Sequence, residues 1–130
     1  MSKPSYIKAE ELREIIKNKT KVPGKDYLVV DVRDEDYQGG NIPNVINKPS
    51  DNFTDSLDAL ISEYSQIPKI IFTCRQSQVR GPSCAAAYAS KVNTDQTIHV
   101  LKGGMNGWLR KYKDDSELVE NYVEEEEWDF

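Results

Sequence analysis

Apolar positions along this chain alternate between two spacings. Leu12, Ile15 and Ile16 recur at three- and four-residue intervals within Ala9 to Asn18, which predicts an amphipathic helix. Tyr27-Leu28-Val29-Val30-Asp31-Val32 is then a short, nearly unbroken apolar run, the pattern of a strand buried on both faces. Asp34 to Tyr37 reads as a helical turn closed by Gly39-Gly40, and Val45-Ile46 as a weak second strand. Leu57, Leu60, Ile61 and Tyr64 return to helical spacing, with Asp55 or Thr54 as the N-cap and Pro68 ending the pattern. Lys69-Ile70-Ile71-Phe72 predicts another buried strand, Pro82 to Val92 a helix with proline in its first turn, and Thr97 to Leu101 a further strand. Gly103-Gly104 turns the chain into a last helix, with Met105, Trp108, Leu109 and Tyr112 on one face. Strands alternating with helices predict an α/β domain with a mainly parallel sheet.

Composition narrows the class. The 130 residues carry no repeat or linker and are read as one domain, 1–130, with an acidic tail from about Asp114 that includes Glu124 to Glu127. That tail is read as a solvated or frayed terminus, with docking of Trp128 and Phe130 as the alternative. Two cysteines and one histidine leave too few ligands for a zinc site, so no metal is expected. The apolar runs are too short for a membrane span, and Met1 to Ala9 is too polar for a secretory signal. Reduced thiols in the cytoplasm or the nucleus are therefore expected. A net charge of −5 argues against nucleic acid and acidic membranes as partners, and means an anionic substrate needs a local positive site.

Such a site is legible between the third predicted strand and the helix after it. Cys74-Arg75-Gln76-Ser77-Gln78-Val79-Arg80 places five residues between a cysteine and an arginine, followed by Gly81-Pro82. The spacing alone is weak, but its position just beyond the carboxyl end of a buried strand is where open α/β sheets bind ligands. A tight loop there can aim successive backbone N–H groups inward as an anion nest, and the helix N-terminus adds partial positive charge. This setting favours a nucleophilic thiolate at Cys74. Arg80 can fold back and hold two oxygens of an oxyanion, with Arg75 adding positive field at the rim. Cys74 and Arg80 are the candidate catalytic residues, and Arg75, Gln76, Ser77, Gln78 and Val79 the candidate substrate-binding loop.

With these residues in view, the chain resembles rhodanese-like domains of the M-phase inducer phosphatase type. It is most similar to small fungal and plant members that include phosphatases and eukaryotic arsenate reductases. The resemblance rests on Val29-Val30-Asp31-Val32-Arg33, Tyr37-Gln38-Gly39-Gly40-Asn41-Ile42, the loop from Cys74 to Pro82, and Leu101-Lys102-Gly103-Gly104 followed by Trp108. It implies a rhodanese-like fold with a five-stranded, mainly parallel sheet flanked by helices, Cys74 as nucleophile and Arg80 as oxyanion ligand. Sulfurtransferases of this fold typically have a shorter loop, and the five residues here match the wider cradle for phosphate or arsenate. Thr73 stands where the family usually has His, and Asn41 where Gly-Gly-His-Ile has its His. Val32 occupies the place of the resolving cysteine of the large cell-cycle phosphatases.

The expected activity is therefore a cysteine-dependent phosphatase of the protein tyrosine or dual-specificity type, working through a phosphocysteine. The alternative is an arsenate reductase, for which the resemblance implies glutathione and glutaredoxin as reductants. A thiosulfate sulfurtransferase and a non-catalytic anion-binding module stand further back. The expected partner is a phosphorylated protein or a small oxyanion, with no cofactor for phosphatase chemistry. Cys84 is read as core, Asp31 and Arg33 as a structural brace, and His99 as structural. Asp34, Glu35 and Asp36 are general-acid candidates, each more simply read as part of a solvated acidic turn.

Overall fold

The computed structural model describes residues 3–123, so Glu124 to Glu127, Trp128 and Phe130, and the expectations attached to them, lie outside the described residues. The described chain runs β1 (Ser5–Ile7), α1 (Ala9–Lys17), β2 (Leu28–Asp31), β3 (Ile46–Asn47), α2 (Phe53–Tyr64), β4 (Lys69–Thr73), α3 (Arg80–Lys91), β5 (Thr97–Leu101) and α4 (Gly104–Tyr112). The strands form one five-stranded sheet in the order β1-β5-β4-β2-β3, with every pairing parallel. This is the rhodanese-like α/β architecture that the alternating periodicity and the resemblance implied. Among the described residues, no helix is long and apolar enough to cross a membrane.

Strand pleating sorts the core into two layers. Leu28, Val30, Ile70, Phe72, Ile98 and Val100 point to one face, where Leu57, Leu60, Ala85 and Tyr88 of α2 and α3 cover them. Val29, Ile71 and Leu101 point to the other, under Leu12 of α1 and Met105 and Trp108 of α4. Both layers are apolar, which is why β2 and β4 read as continuous runs rather than alternating ones.

Four sequence expectations are corrected. β1 was not anticipated, because three residues with only Ile7 buried give no periodicity; it exists by pairing with β5 at the sheet edge. α2 begins at Phe53, so Asn52, not Thr54 or Asp55, holds the cap position. Phe53 is buried edge-on against Phe72, with ring centroids 6.0 Å apart, and this packing draws the helix start upstream. The segment 114–123 is not frayed: Leu118 and Val119 are buried, and the Trp108 indole N–H donates to the Leu118 carbonyl at 2.8 Å. Finally, Asp34 and Asp36 are not a solvated turn; the side chains close on arginines.

The topology places the site. From β2 the chain moves outward to β3, and from β4 it moves the opposite way to β5. The carboxyl ends of β2 and β4 lie side by side at this divergence, where a crevice opens. The loop after β2 carries Asp34 and Asp36, and the loop after β4 carries Cys74 to Val79.

Candidate active site

The loop from Cys74 to Val79 folds around the cysteine sulfur. The backbone N–H of Ser77 donates to Cys74 Sγ at 3.1 Å, and that of Gly81, in the first turn of α3, donates at 3.3 Å. Among the described residues no side chain caps α3, and the sulfur takes the place of a capping group at its positive end. Cys74 is 3% exposed, at the floor of a hollow of about 220 Å³ walled by Arg75, Gln76, Gln78, Val79 and Arg80.

The loop is braced from beneath. Ser77 adopts φ 58°, the left-handed turn that aims its N–H at the sulfur. Its side chain is buried and does not line the hollow: Ser77 Oγ accepts from the Cys74 N–H at 3.4 Å, and Ser77 carbonyl accepts from the Tyr6 hydroxyl at 3.2 Å. Thr73, in the position where the resemblance expects His, is buried and its hydroxyl donates to the Cys74 carbonyl. Gln76, Gln78 and Val79 are exposed at the rim, Val79 most of all at 72%.

The N-terminus of α4 completes the support, a role the sequence reading assigned to no residue. Met105 N–H donates to the Cys74 carbonyl and Asn106 N–H to the Arg75 carbonyl, both at 2.8 Å. This approach requires Gly104. Its φ is +57°, and a Cβ there would lie 2.6 Å from both carbonyl oxygens. The Gly103-Gly104 pair was read as a turn; only the meeting of two distant loops shows what the second glycine is for.

Arg80 is held by the loop after β2. Asp36 takes its guanidinium end-on, Nη1 to Oδ1 at 2.9 Å and Nη2 to Oδ2 at 2.7 Å, and Nη1 also reaches Asp34 Oδ2 at 3.2 Å. These contacts use both Nη1 protons and one Nη2 proton. The Nε–H and the second Nη2 proton, which lie parallel along one edge of the fork, have no protein acceptor among the described residues. That edge has the geometry for two oxygens of one oxyanion.

The hydrogen bonds from Arg80 hold the Asp36 carboxyl well below the usual carboxylate range. Burial pushes Asp34 up, but the Ser50 hydroxyl, the Asp51 N–H and Arg80 outweigh it and hold it low as well. Asp36 in turn raises Arg80 further above its already high value. Both aspartates are therefore ionised partners of Arg80 at neutral pH, not proton donors, and Glu35 is exposed beside them.

A buried pair carries this loop. Asp31 and Arg33 are fully enclosed, with Arg33 Nη2 2.7 Å from Asp31 Oδ2, as the brace reading expected. Burial pushes the Asp31 carboxyl up, and Arg33 pulls it back. Arg33 also donates to the carbonyls of Gly40 and Asp36, so the pair sets the path of the chain that presents Asp36. Asn41 bridges to Glu120, Asn121 and the Ile42 carbonyl, tying the same loop to the segment after α4. Cys84 is buried beneath the site, and burial pushes its thiol up to about 12.

Comparison with known proteins agrees with this geometry. The Rhodanese-like domain family matches residues 8–111. The chain is 29% identical to "Dual specificity phosphatase ibp1" of Schizosaccharomyces pombe, covering 92% of this chain and 99% of that protein. It is 33% identical to "Arsenate reductase 2.2" of Oryza sativa subsp. japonica over 80% of this chain and 81% of that one. Among solved structures, "Ygr203w, a yeast protein tyrosine phosphatase of the Rhodanese family" superposes with a TM-score of 0.78 at 25% identity, covering 95% of this chain and 96% of that one. The As-Sb reductase from Leishmania major superposes at 0.74 with 28% identity, over 95% and 90%. With a parallel five-stranded sheet, a cysteine loop at its carboxyl edge and these relatives, the chain belongs to the Rhodanese-like domain family.

Proposed function

We propose that this enzyme is a cysteine-dependent phosphatase of the protein tyrosine or dual-specificity type, with Cys74 as nucleophile and Arg80 as oxyanion ligand. The observation that carries the reading is the convergence on Cys74 Sγ of the Ser77 and Gly81 N–H groups, beside the unused Nε/Nη2 edge of Arg80. Cys74 thiolate attacks phosphorus, an S–P bond forms, and the P–O bond to the alcohol or phenol breaks. The loop N–H groups and Arg80 stabilise charge on the equatorial oxygens. Water then cleaves the phosphocysteine, releasing inorganic phosphate and returning the thiol.

Arsenate reduction is the second reading, favoured by the rice and Leishmania relatives. Here the Cys74 thiolate displaces one arsenate oxygen as water to form a sulfur–arsenic bond, and thiols of glutathione and glutaredoxin supply the two electrons that take arsenic from the pentavalent to the trivalent state, ending as a disulfide. Arsenate and phosphate share shape and charge, so one cradle serves either chemistry.

Hydrolysis of p-nitrophenyl phosphate by reduced protein, beside Cys74→Ser and an arsenate assay with glutathione and glutaredoxin, tests both. Phosphate release lost in Cys74→Ser without arsenate reduction supports the phosphatase, and the reverse pattern the reductase. Silence in both assays sinks both and moves the sulfurtransferase and binding-module readings forward.

A further inference from the structure

The walls of the hollow over Cys74 are polar except at one place. Arg75, Gln76, Gln78 and Arg80 carry charge or amide groups, and Val79 is the one hydrocarbon side chain among them. Val79 is also 72% exposed, against 57% for Tyr6 and 47% for Val22, the other large apolar side chains exposed among the described residues. Two of these three stand at the same loop: the Tyr6 hydroxyl donates to the Ser77 carbonyl at 3.2 Å, which ties its ring to the segment that carries Val79. Single exposed apolar side chains are ordinary on a soluble protein, but their gathering at one loop beside a site marks a contact surface.

The place of Val79 on α3 sharpens the point. It holds the N-cap position, with φ −126° and ψ −68°, and its side chain makes no capping bond. Helix N-caps favour Ser, Thr, Asp and Asn, and valine is among the poorest residues there. Local propensity and the observed residue therefore conflict, as they do where a site imposes its own requirement. The isopropyl group is branched at Cβ, so it is stiff and loses little freedom when another surface covers it.

We propose that Val79 is a specificity residue of this site, packing against the aromatic ring of a phosphotyrosine whose phosphate lies over Cys74. The inference deepens the phosphatase reading and rests on it: it names aryl phosphates, ahead of alkyl ones, as the favoured substrates. A phosphate in the hollow leaves the first carbon atoms of its ester at the rim, where Val79 stands. A phenyl ring there covers the isopropyl group. The short aliphatic stem of phosphothreonine or phosphoserine presents far less apolar surface to it.

The test is a fluorescence-polarisation titration of two labelled peptides of one sequence, carrying phosphotyrosine or phosphothreonine, on the whole chain with Cys74→Ser. The phosphotyrosine peptide is expected to bind about tenfold tighter, the effect of taking roughly 50 Å² of apolar surface out of water. In Cys74→Ser/Val79→Thr, which keeps the shape and replaces a methyl by a hydroxyl, the ratio is expected to fall to about threefold or less. In Cys74→Ser/Val79→Leu it is expected to hold. Both peptides present the same phosphate, so a disturbance of the loop alone weakens both and leaves the ratio. Equal binding of the two peptides, binding of neither, a ratio that survives Val79→Thr, or one lost equally in Val79→Leu overturns the proposal. The titration needs no turnover, so it is separate from the p-nitrophenyl phosphate assay. A ratio set by Val79 with no hydrolysis by the wild-type chain would strike the catalytic reading and leave the ring contact standing.

Discussion

Asp36 grips Arg80 end-on, with both carboxylate oxygens on the two Nη nitrogens at 2.9 and 2.7 Å. This contact joins the loop after β2 to the first residue of α3, and it leaves the Nε/Nη2 edge of the guanidinium without a protein acceptor among the described residues. An arginine on a mobile side chain would spend substrate binding energy on being oriented; here the orientation is made in advance.

Asp36→Asn keeps the shape of the contact and removes its charge. We expect kcat/KM for p-nitrophenyl phosphate to fall about tenfold, the scale of a lost positioning contact, with inorganic phosphate binding more weakly. An unchanged kcat/KM would show that Arg80 needs no brace.

The same pair sets a pH dependence of stability. The Asp36 carboxyl is held below its unfolded value of about 3.9, so the stabilisation is fully present above roughly pH 4 and is lost as pH falls toward the lower folded value. Urea unfolding from pH 7 down to pH 3 is expected to show a shallower loss in Asp36→Asn than in wild type. Parallel curves would mean that the pair does not contribute.

Gly104→Ala is expected to damage the Cys74 loop from a distance in sequence. Its Cβ would meet the carbonyl oxygens of Cys74 and Arg75 at 2.6 Å in a left-handed backbone conformation. The cost should be about 1–3 kcal/mol, read as a lower melting temperature, together with loss of turnover. Gly107→Ala, where a Cβ would meet nothing within 4 Å, serves as the control. Equal effects of the two substitutions would refute the packing argument.

Arg33→Leu would leave Asp31 buried without its partner. Breaking such a pair costs about 3–5 kcal/mol, measured by chemical denaturation. Adding Asp31→Asn to that variant should restore part of the loss, since no charge then remains enclosed. A cost near zero for Arg33→Leu alone would contradict the role of the brace.

Cys84 is expected to stay unreactive. At pH 8 its thiol, pushed up to about 12, is protonated and enclosed. Iodoacetamide on native protein, followed by peptide mass spectrometry, should label Cys74 and spare Cys84. Equal labelling would open the resolving-thiol role that burial argues against.

Much of this site was legible because chemistry and periodicity coincide over a short stretch. Ile70 to Phe72 announces a buried strand, Pro82 a helix start, and the five residues between Cys74 and Arg80 a loop of oxyanion size. Asp34 and Asp36 were harder. An Asp-x-Asp after a strand usually faces water, and nothing within fifteen residues says otherwise. Only the parallel pairing of β2 with β4 brings the carboxylates of Asp34 and Asp36 to an arginine 46 and 44 positions onward. Leu118 and Val119 were hidden by acidic neighbours, and their burial comes from joining the cluster around Trp108, whose indole N–H donates to the Leu118 carbonyl.

The sequence by itself determined the fold class and singled out Cys74 and Arg80 as the candidate pair, because hydrophobic spacing and a strand-loop-helix junction are local properties of the chain. The tertiary structure decided what orients that arginine and which glycine lets α4 touch the loop. Those are contacts between residues far apart in sequence, and their partners are chosen by strand order and register, which local pattern does not encode.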